Sequence, residues 1–190
     1  MASLADYHGH MVNHVETLYQ TGERELAIRF AEALGCTVVD SETAISTGST
    51  ILYAFPDPKE QDRLNNVLYI SEIRPAQKAL EDALKPLLHD AGPAAKAFGA
   101  YVHKALHHPH GTPHFGLRYP SFASLERTID RLEEAFEHEF KGRARFSQIV
   151  RPNHGESMTG ELIQAFVYTD ILVSGLFSLG QLIELQAQEL

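Results

Sequence analysis

Cysteine is almost missing from this chain: Cys36 is the one thiol in 190 residues. An internal disulfide is excluded, and a reducing compartment, the cytoplasm, is expected. Cys36 itself follows a predicted helix and reads as a small buried core residue. Basic residues are also scarce. Sixteen Lys and Arg stand against 25 Asp and Glu, for a formal net charge of −9. Phosphate binding needs the opposite balance, so nucleic acid is not an expected partner. A long apolar run is absent too. The most apolar stretch, Ile171 to Leu185, is broken by Ser174, Gly175, Ser178 and Gly180, so neither a spanning helix nor a membrane partner is expected. The N-terminus lacks a basic segment followed by an apolar one, and no secretory signal is expected. Also missing are the Gly-x-Ser-x-Gly elbow, the phosphate loop and the dinucleotide fingerprint. Thr47-Gly48-Ser49-Thr50 reads as a turn before a strand, because no lysine or helix follows it.

What remains is an ordinary globular composition, 44% apolar and 22% charged, in a chain long enough for one domain or two small modules sharing a core. One order of elements occurs twice. In the first copy Met11 to Tyr19 alternates as a strand, and Thr21-Gly22 breaks it. Glu23 to Leu34 then spaces Leu26, Ile28, Phe30, Ala33 and Leu34 as a helix. Gly35 stops that helix, and strands follow at 37–39, 50–55 and 66–73. In the second copy His114 to Tyr119 is a strand ended by Pro120, and Ser121 is an N-cap for a helix over 122–140. Strands at 144–150, 162–169 and 179–186 complete it. Between the copies, 76–89 and 93–108 read as two helices separated by Ala91-Gly92-Pro93. The boundaries are a first module at 1–73, a helical insert at 74–112 and a second module at 113–190.

Each copy opens on a strand histidine, His14 and His114, and the second closes on a strand carboxylate, Glu184. Two imidazoles and one carboxylate suit a divalent metal that keeps positions open for substrate. Strand parity supports the choice. Glu184 points opposite to Ile183 and Leu185, His114 shares a face with Gly116 and Arg118, and His14 shares one with Glu16. A shift of the first strand would substitute His10 for His14. Metal affinity is expected to fall as pH drops through the histidine range.

Asn13-His14-Val15, Pro113-His114-Phe115-Gly116-Leu117 and Leu182-Ile183-Glu184-Leu185, set in strand-helix-three-strands taken twice, resemble the vicinal oxygen chelate superfamily of glyoxalases, bleomycin-resistance proteins, epimerases and extradiol dioxygenases. The resemblance covers residues 11–73 and 113–187. It implies an α+β fold in which two βαβββ modules form an incomplete barrel around a metal cavity, with His14, His114 and Glu184 as ligands. Overlaying Leu68-Tyr69-Ile70 on Ile183-Glu184-Leu185 puts Tyr69 at the fourth family position. Glu72 would reach it only through a bulge. Three ligands are the set of non-haem Fe(II) oxygenases, and four would look more like glyoxalases and epimerases.

The leading functional expectation is therefore an Fe(II)-dependent, extradiol-like dioxygenase acting on a small oxygenated aromatic, with Mn, Zn or Ni as other candidate metals. The alternatives are a glyoxalase- or epimerase-like lyase or isomerase, and a ligand-sequestering protein without chemistry, for which Ile171 to Leu179 would be a wall or a dimer surface. Arg118, Tyr69 and Gln164 are the candidate substrate contacts, and Tyr168 and His154 the candidate proton carriers. His103, His107, His108 and His110 read as surface histidines, although the i, i+4 pair His103 and His107 has zinc-binding spacing. A homodimer is expected, because exposed strand edges of such half-barrels pair.

Overall fold

In the computed structural model, which describes residues 13–41, 51–152 and 161–188, the same order of elements occupies both halves. The first half holds β1 (His14–Tyr19), α1 (Arg24–Ala33), β2 (Thr37–Asp40), β3 (Leu52–Phe55) and β4 (Val67–Glu72). The insert holds α2 (Pro75–His89) and α3 (Pro93–His107). The second half holds β5 (His114–Tyr119), α4 (Phe122–Glu137), β6 (Ala144–Val150), β7 (Leu162–Thr169) and β8 (Gln181–Gln188). The strands form two four-stranded sheets, ordered β1-β4-β3-β2 and β5-β8-β7-β6. In each, the first strand runs parallel to the fourth and the remaining pairs are antiparallel. The fold is thus α+β with paired βαβββ modules, and the sheets are not closed into a barrel.

The helices cover one face of each sheet. Phe30 and Leu34 of the α1 segment and Leu125, Ile129 and Leu132 of α4 pack with Leu52, Ile70, Ala165, Val167, Ile183 and Leu185 in one buried cluster spanning both halves. Burying each of these large side chains contributes about 1.5–3 kcal/mol. Ser121 caps α4, its Oγ accepting from the Ser124 N–H at 3.2 Å.

Several links join the halves. The rings of Phe30 and Phe140 meet edge to face at 5.2 Å. Arg143 donates to Glu23 at 2.9 and 3.0 Å and to Asp170 at 2.7 Å. The Glu23 hydrogen bonds, followed by those to Asp170, outweigh burial and raise the Arg143 pKa. At the outer edge of β1, Leu18 and Val173 exchange backbone hydrogen bonds of 2.7 and 3.1 Å. Ile171, Leu172 and Val173 are fully buried by this docking, so that part of the apolar stripe is interior and not a dimer surface.

The insert is fastened at two places. Glu81 of α2, 1% exposed, accepts from the N–H groups of Phe177 at 2.6 Å and Ser178 at 3.0 Å, and from the Ser178 hydroxyl. This carboxylate satisfies the open N–H groups of a 3-10 turn at Phe177–Leu179. On α3, the Ala105 carbonyl accepts from Ser147 Oγ at 2.6 Å, and Ala105 packs with Phe166, Leu182 and Tyr168. Those residues share the Glu184 face of the second sheet. The insert therefore covers part of the face opposite α4.

Candidate metal-binding site

Register decides which side chains meet on that face. In the second sheet His114 pairs with Leu182 and Gly116 with Glu184, so His114 and Glu184 are diagonal neighbours across a parallel pair. On the far side of β8, Phe166 stands opposite Glu184 and Gln164 opposite Gln186. The first sheet repeats the arrangement: His14 pairs with Val67 and Glu16 with Tyr69. Tyr69 thus holds the place in the first module that Glu184 holds in the second, as the overlay of the two strands anticipates.

His114 and Glu184 are brought together. His114 Nδ1 lies 2.7 Å from the Thr112 carbonyl oxygen. A carbonyl only accepts, so Nδ1 carries a proton and Nε2 is the ring nitrogen left to face Glu184. It lies 3.2 Å from Glu184 Oε2. A cation joins two such atoms, either a proton on Nε2 or a metal ion. Ligand atoms about 2.1 Å from a shared ion stand about 3.0 Å apart at right angles and about 3.4 Å apart at the tetrahedral angle. The observed separation lies between those limits, so the pair fits one edge of a metal's coordination shell.

The surroundings hold both groups in place. Glu184 Oε1 accepts from Gln164 Nε2 at 2.7 Å and from Gln186 Nε2 at 3.1 Å, which turns Oε2 toward the imidazole. Phe166, fully buried, presents its ring to His114 and to His110 at centroid distances of 5.6 and 5.0 Å. Gly116 leaves the approach open, since even a Cβ there would stay 4.0 Å from Oε2. Gln164 Oε1 is buried without a hydrogen-bond partner among the described residues, an acceptor beside the carboxylate that a donor could still use. Arg118, exposed on the same face, reaches Gln186 Oε1 at 3.1 Å and has no carboxylate partner among the described residues.

Other expected residues stand apart. His14 is exposed and stacks on Tyr69 at 4.6 Å with an 18° tilt. Tyr69 donates to the Arg63 carbonyl at 2.7 Å, and burial raises its pKa. Among the described residues no three His, Cys, Asp or Glu side chains are gathered to hold a metal, so His14 is not brought to the pair. His14 does line a cleft of about 210 Å³ with Gly116, the residue opposite Glu184. Glu72 pairs with Tyr19 through an unshifted register and lies on the other face of β4. The carboxylate on the His14 face is Glu16, which accepts from Ser71 Oγ at 2.7 Å. Tyr168 donates its hydroxyl to the Leu179 carbonyl at 2.9 Å, and burial pushes its pKa up to about 12. It is engaged away from Glu184. His154 and Thr47-Gly48-Ser49-Thr50 lie outside the described residues.

Thr112, Gln186 and His110 were not among the expected site residues. The signal for Gln186 was available, because it shares the Glu184 face by parity. The Thr112 contribution is a backbone carbonyl, which no side-chain pattern encodes.

No protein-family model matches the chain, and no curated protein matches it. Among solved structures it is similar to lactoylglutathione lyase from Agrobacterium tumefaciens, with 12% identity over 91% of each chain and a TM-score of 0.39. It is also similar to a candidate dioxygenase from Bacillus subtilis, with 11% identity over 94% of this chain and 62% of that one and a TM-score of 0.23. Neither likeness extends to an activity.

Proposed function

We propose that this protein is a metal-dependent enzyme acting on a small oxygenated molecule, with the divalent ion seated on His114 Nε2 and Glu184 Oε2. The observation that carries this reading is the imidazole whose Nδ1–H is committed to Thr112, so that Nε2 faces Glu184 Oε2 at 3.2 Å, a spacing that suits two ligands of one ion. His14, across the cleft it shares with Gly116, is the candidate third ligand. A bound ion there would supply Lewis acidity toward a substrate oxygen. The chain's own groups position and select. Gln164 and Gln186 fix the carboxylate, Phe166 keeps water from one side, and Arg118, hydrogen-bonded to Gln186 and without a carboxylate partner among the described residues, offers its guanidinium to a substrate anion.

Iron(II) and an extradiol-like ring opening are the leading version of the reaction, and a glyoxalase- or epimerase-like isomerisation is the rival. Oxygen separates them: catechol turnover that consumes dioxygen supports the first, and turnover under anaerobic conditions excludes it. The seat itself is tested by titrating tag-free protein with Mn(II), Zn(II), Ni(II) and, anaerobically, Fe(II). The background is His103→Asn/His107→Asn, because those rings, 4.3 Å apart on α3, can chelate transition ions alone. One equivalent should bind, at least tenfold more weakly in His114→Ala and in Glu184→Gln. Equal affinity in those variants, or a melting temperature indifferent to every ion, would overturn the reading. The homodimer belongs to the same proposal, and sedimentation velocity tests it.

A further inference from the structure

Three polar side chains stand in one row across the open face of the second sheet. Arg118 of β5 pairs with Gln186 of β8, and Gln186 pairs with Gln164 of β7. The neighbouring row holds Gly116, Glu184 and Phe166, so Glu184 lies two residues along β8 from Gln186, on the same face. The polar row runs from solvent into the protein: Arg118 is exposed, Gln186 half-buried and Gln164 buried. Both glutamines donate to one atom, Glu184 Oε1, Gln164 at 2.7 Å and Gln186 at 3.1 Å.

A glutamine amide has no preference of its own for either end. Its oxygen and nitrogen are nearly the same size, and turning the amide over exchanges a donor for an acceptor. Turned over, Gln186 would set a carbonyl oxygen against a carboxylate oxygen, and Glu184 would lose a donor. Arg118 prevents this. Its guanidinium only donates, and it reaches Gln186 Oε1 at 3.1 Å and Gln188 Oε1 at 3.5 Å. The amide nitrogen of Gln186 is thereby left for Glu184. Gln164 has no such partner, since its Oε1 is buried without a hydrogen bond among the described residues. One donor on the carboxylate is therefore oriented by a third residue, and the other by the carboxylate alone.

We propose that Arg118 is a positioning residue for the metal ion, acting through Gln186; this rests on the seat proposed above at His114 and Glu184. Arg118 fixes which end of the Gln186 amide meets Glu184 Oε1, and that bond keeps Oε2 turned toward His114 Nε2. A guanidinium has five N–H groups, so this contact leaves donors for a substrate anion. The role has a sign that charge alone cannot imitate. A guanidinium repels a nearby cation, so removing it would tighten metal binding if Arg118 acted only through its charge. Acting through Gln186, its removal weakens binding, because the hydrogen bonds that orient a ligating carboxylate typically carry about 10–100-fold of metal affinity.

Calorimetric titration with Zn(II) in the His103→Asn/His107→Asn background tests the relay. Arg118→Met and Gln186→Met should each bind Zn(II) at least fivefold more weakly than the background protein, and the double variant no more weakly than either single one. Arg118→Lys should recover most of the affinity, since an ammonium also only donates. Arg118 is exposed, so its variants should keep the wild-type thermal transition. Metal-free protein gives a second readout. The Gln186 side-chain amide signals in nuclear magnetic resonance, assigned by their loss in Gln186→Met, should move toward those of a solvated glutamine in Arg118→Met and hold their place in Arg118→Lys. Zn(II) affinity unchanged or higher in Arg118→Met, losses that add in the double variant, or amide signals that Arg118→Met leaves in place would each overturn the proposal while the seat stands. A background protein that binds no Zn(II) overturns the seat and the proposal together.

Discussion

At the residue scale, burial alone controls Cys36. It is 6% exposed in the shared core, and desolvation of the thiolate pushes its pKa up to about 12 from an ordinary 9.0. Native protein should therefore resist maleimide labelling at pH 8 for hours and react at once in 6 M guanidinium; rapid native labelling would contradict the burial. The same shift sets a pH dependence. The folded thiol keeps its proton while the unfolded one loses it, so its contribution to stability is complete below about pH 9 and declines as pH rises toward about 12. This residue was legible from the sequence as a small apolar group after a helix. The His114–Glu184 pair was legible as well, through strand parity and matched positions. The seats of Tyr168 and Glu81 were not. Tyr168 was a candidate proton carrier, but a local carbonyl at Leu179 captures its hydroxyl, and nothing in an alternating strand announces such a partner.

At the element scale, hydrophobic spacing located every helix and strand to within a few residues, and β5, β6 and β7 begin and end where the pattern puts them. The insert shows where such spacing misleads. On α2 the leucines Leu80 and Leu87 are 49% and 55% exposed, while Glu81 beside them is buried. Periodicity ranks a leucine above a glutamate for burial, and only the three-dimensional position of the 3-10 turn reverses that order. Truncating this carboxylate strands the buried N–H of Phe177 and the partly buried N–H of Ser178. Glu81→Ala should cost about 2–4 kcal/mol in urea unfolding and accelerate amide exchange at 177 and 178 ahead of β7 and β8. An unaltered exchange rate at those amides would show that α2 does not hold the turn.

At the scale of the whole molecule, the two modules share one core and an arginine that touches both. Arg143→Met should lower the melting temperature by roughly 2–4 °C, a loss of about 1 kcal/mol, because Glu23, Asp170 and Arg143 are all partly exposed. The deficit should shrink in 1 M NaCl, as screening weakens the wild-type bridge. Unfolding should remain a single transition, since the Phe30–Phe140 contact still joins the halves; two separate transitions would mean that Arg143 alone couples them.

The identical registers of the two parallel strand pairs make each half of the molecule a control for the other. One half sets a carboxylate diagonal to its histidine and the other sets a phenol, on the same backbone ruler. A Tyr69→Glu variant would accordingly write the second half's donor pair into the first, beside His14. Metal stoichiometry should then rise above the one equivalent proposed for His114 and Glu184, or the affinity of that proposed seat should tighten. The choice between those outcomes would measure how closely the two halves cooperate: separate sites report two independent copies of a motif, and one tighter site reports a single centre built from both.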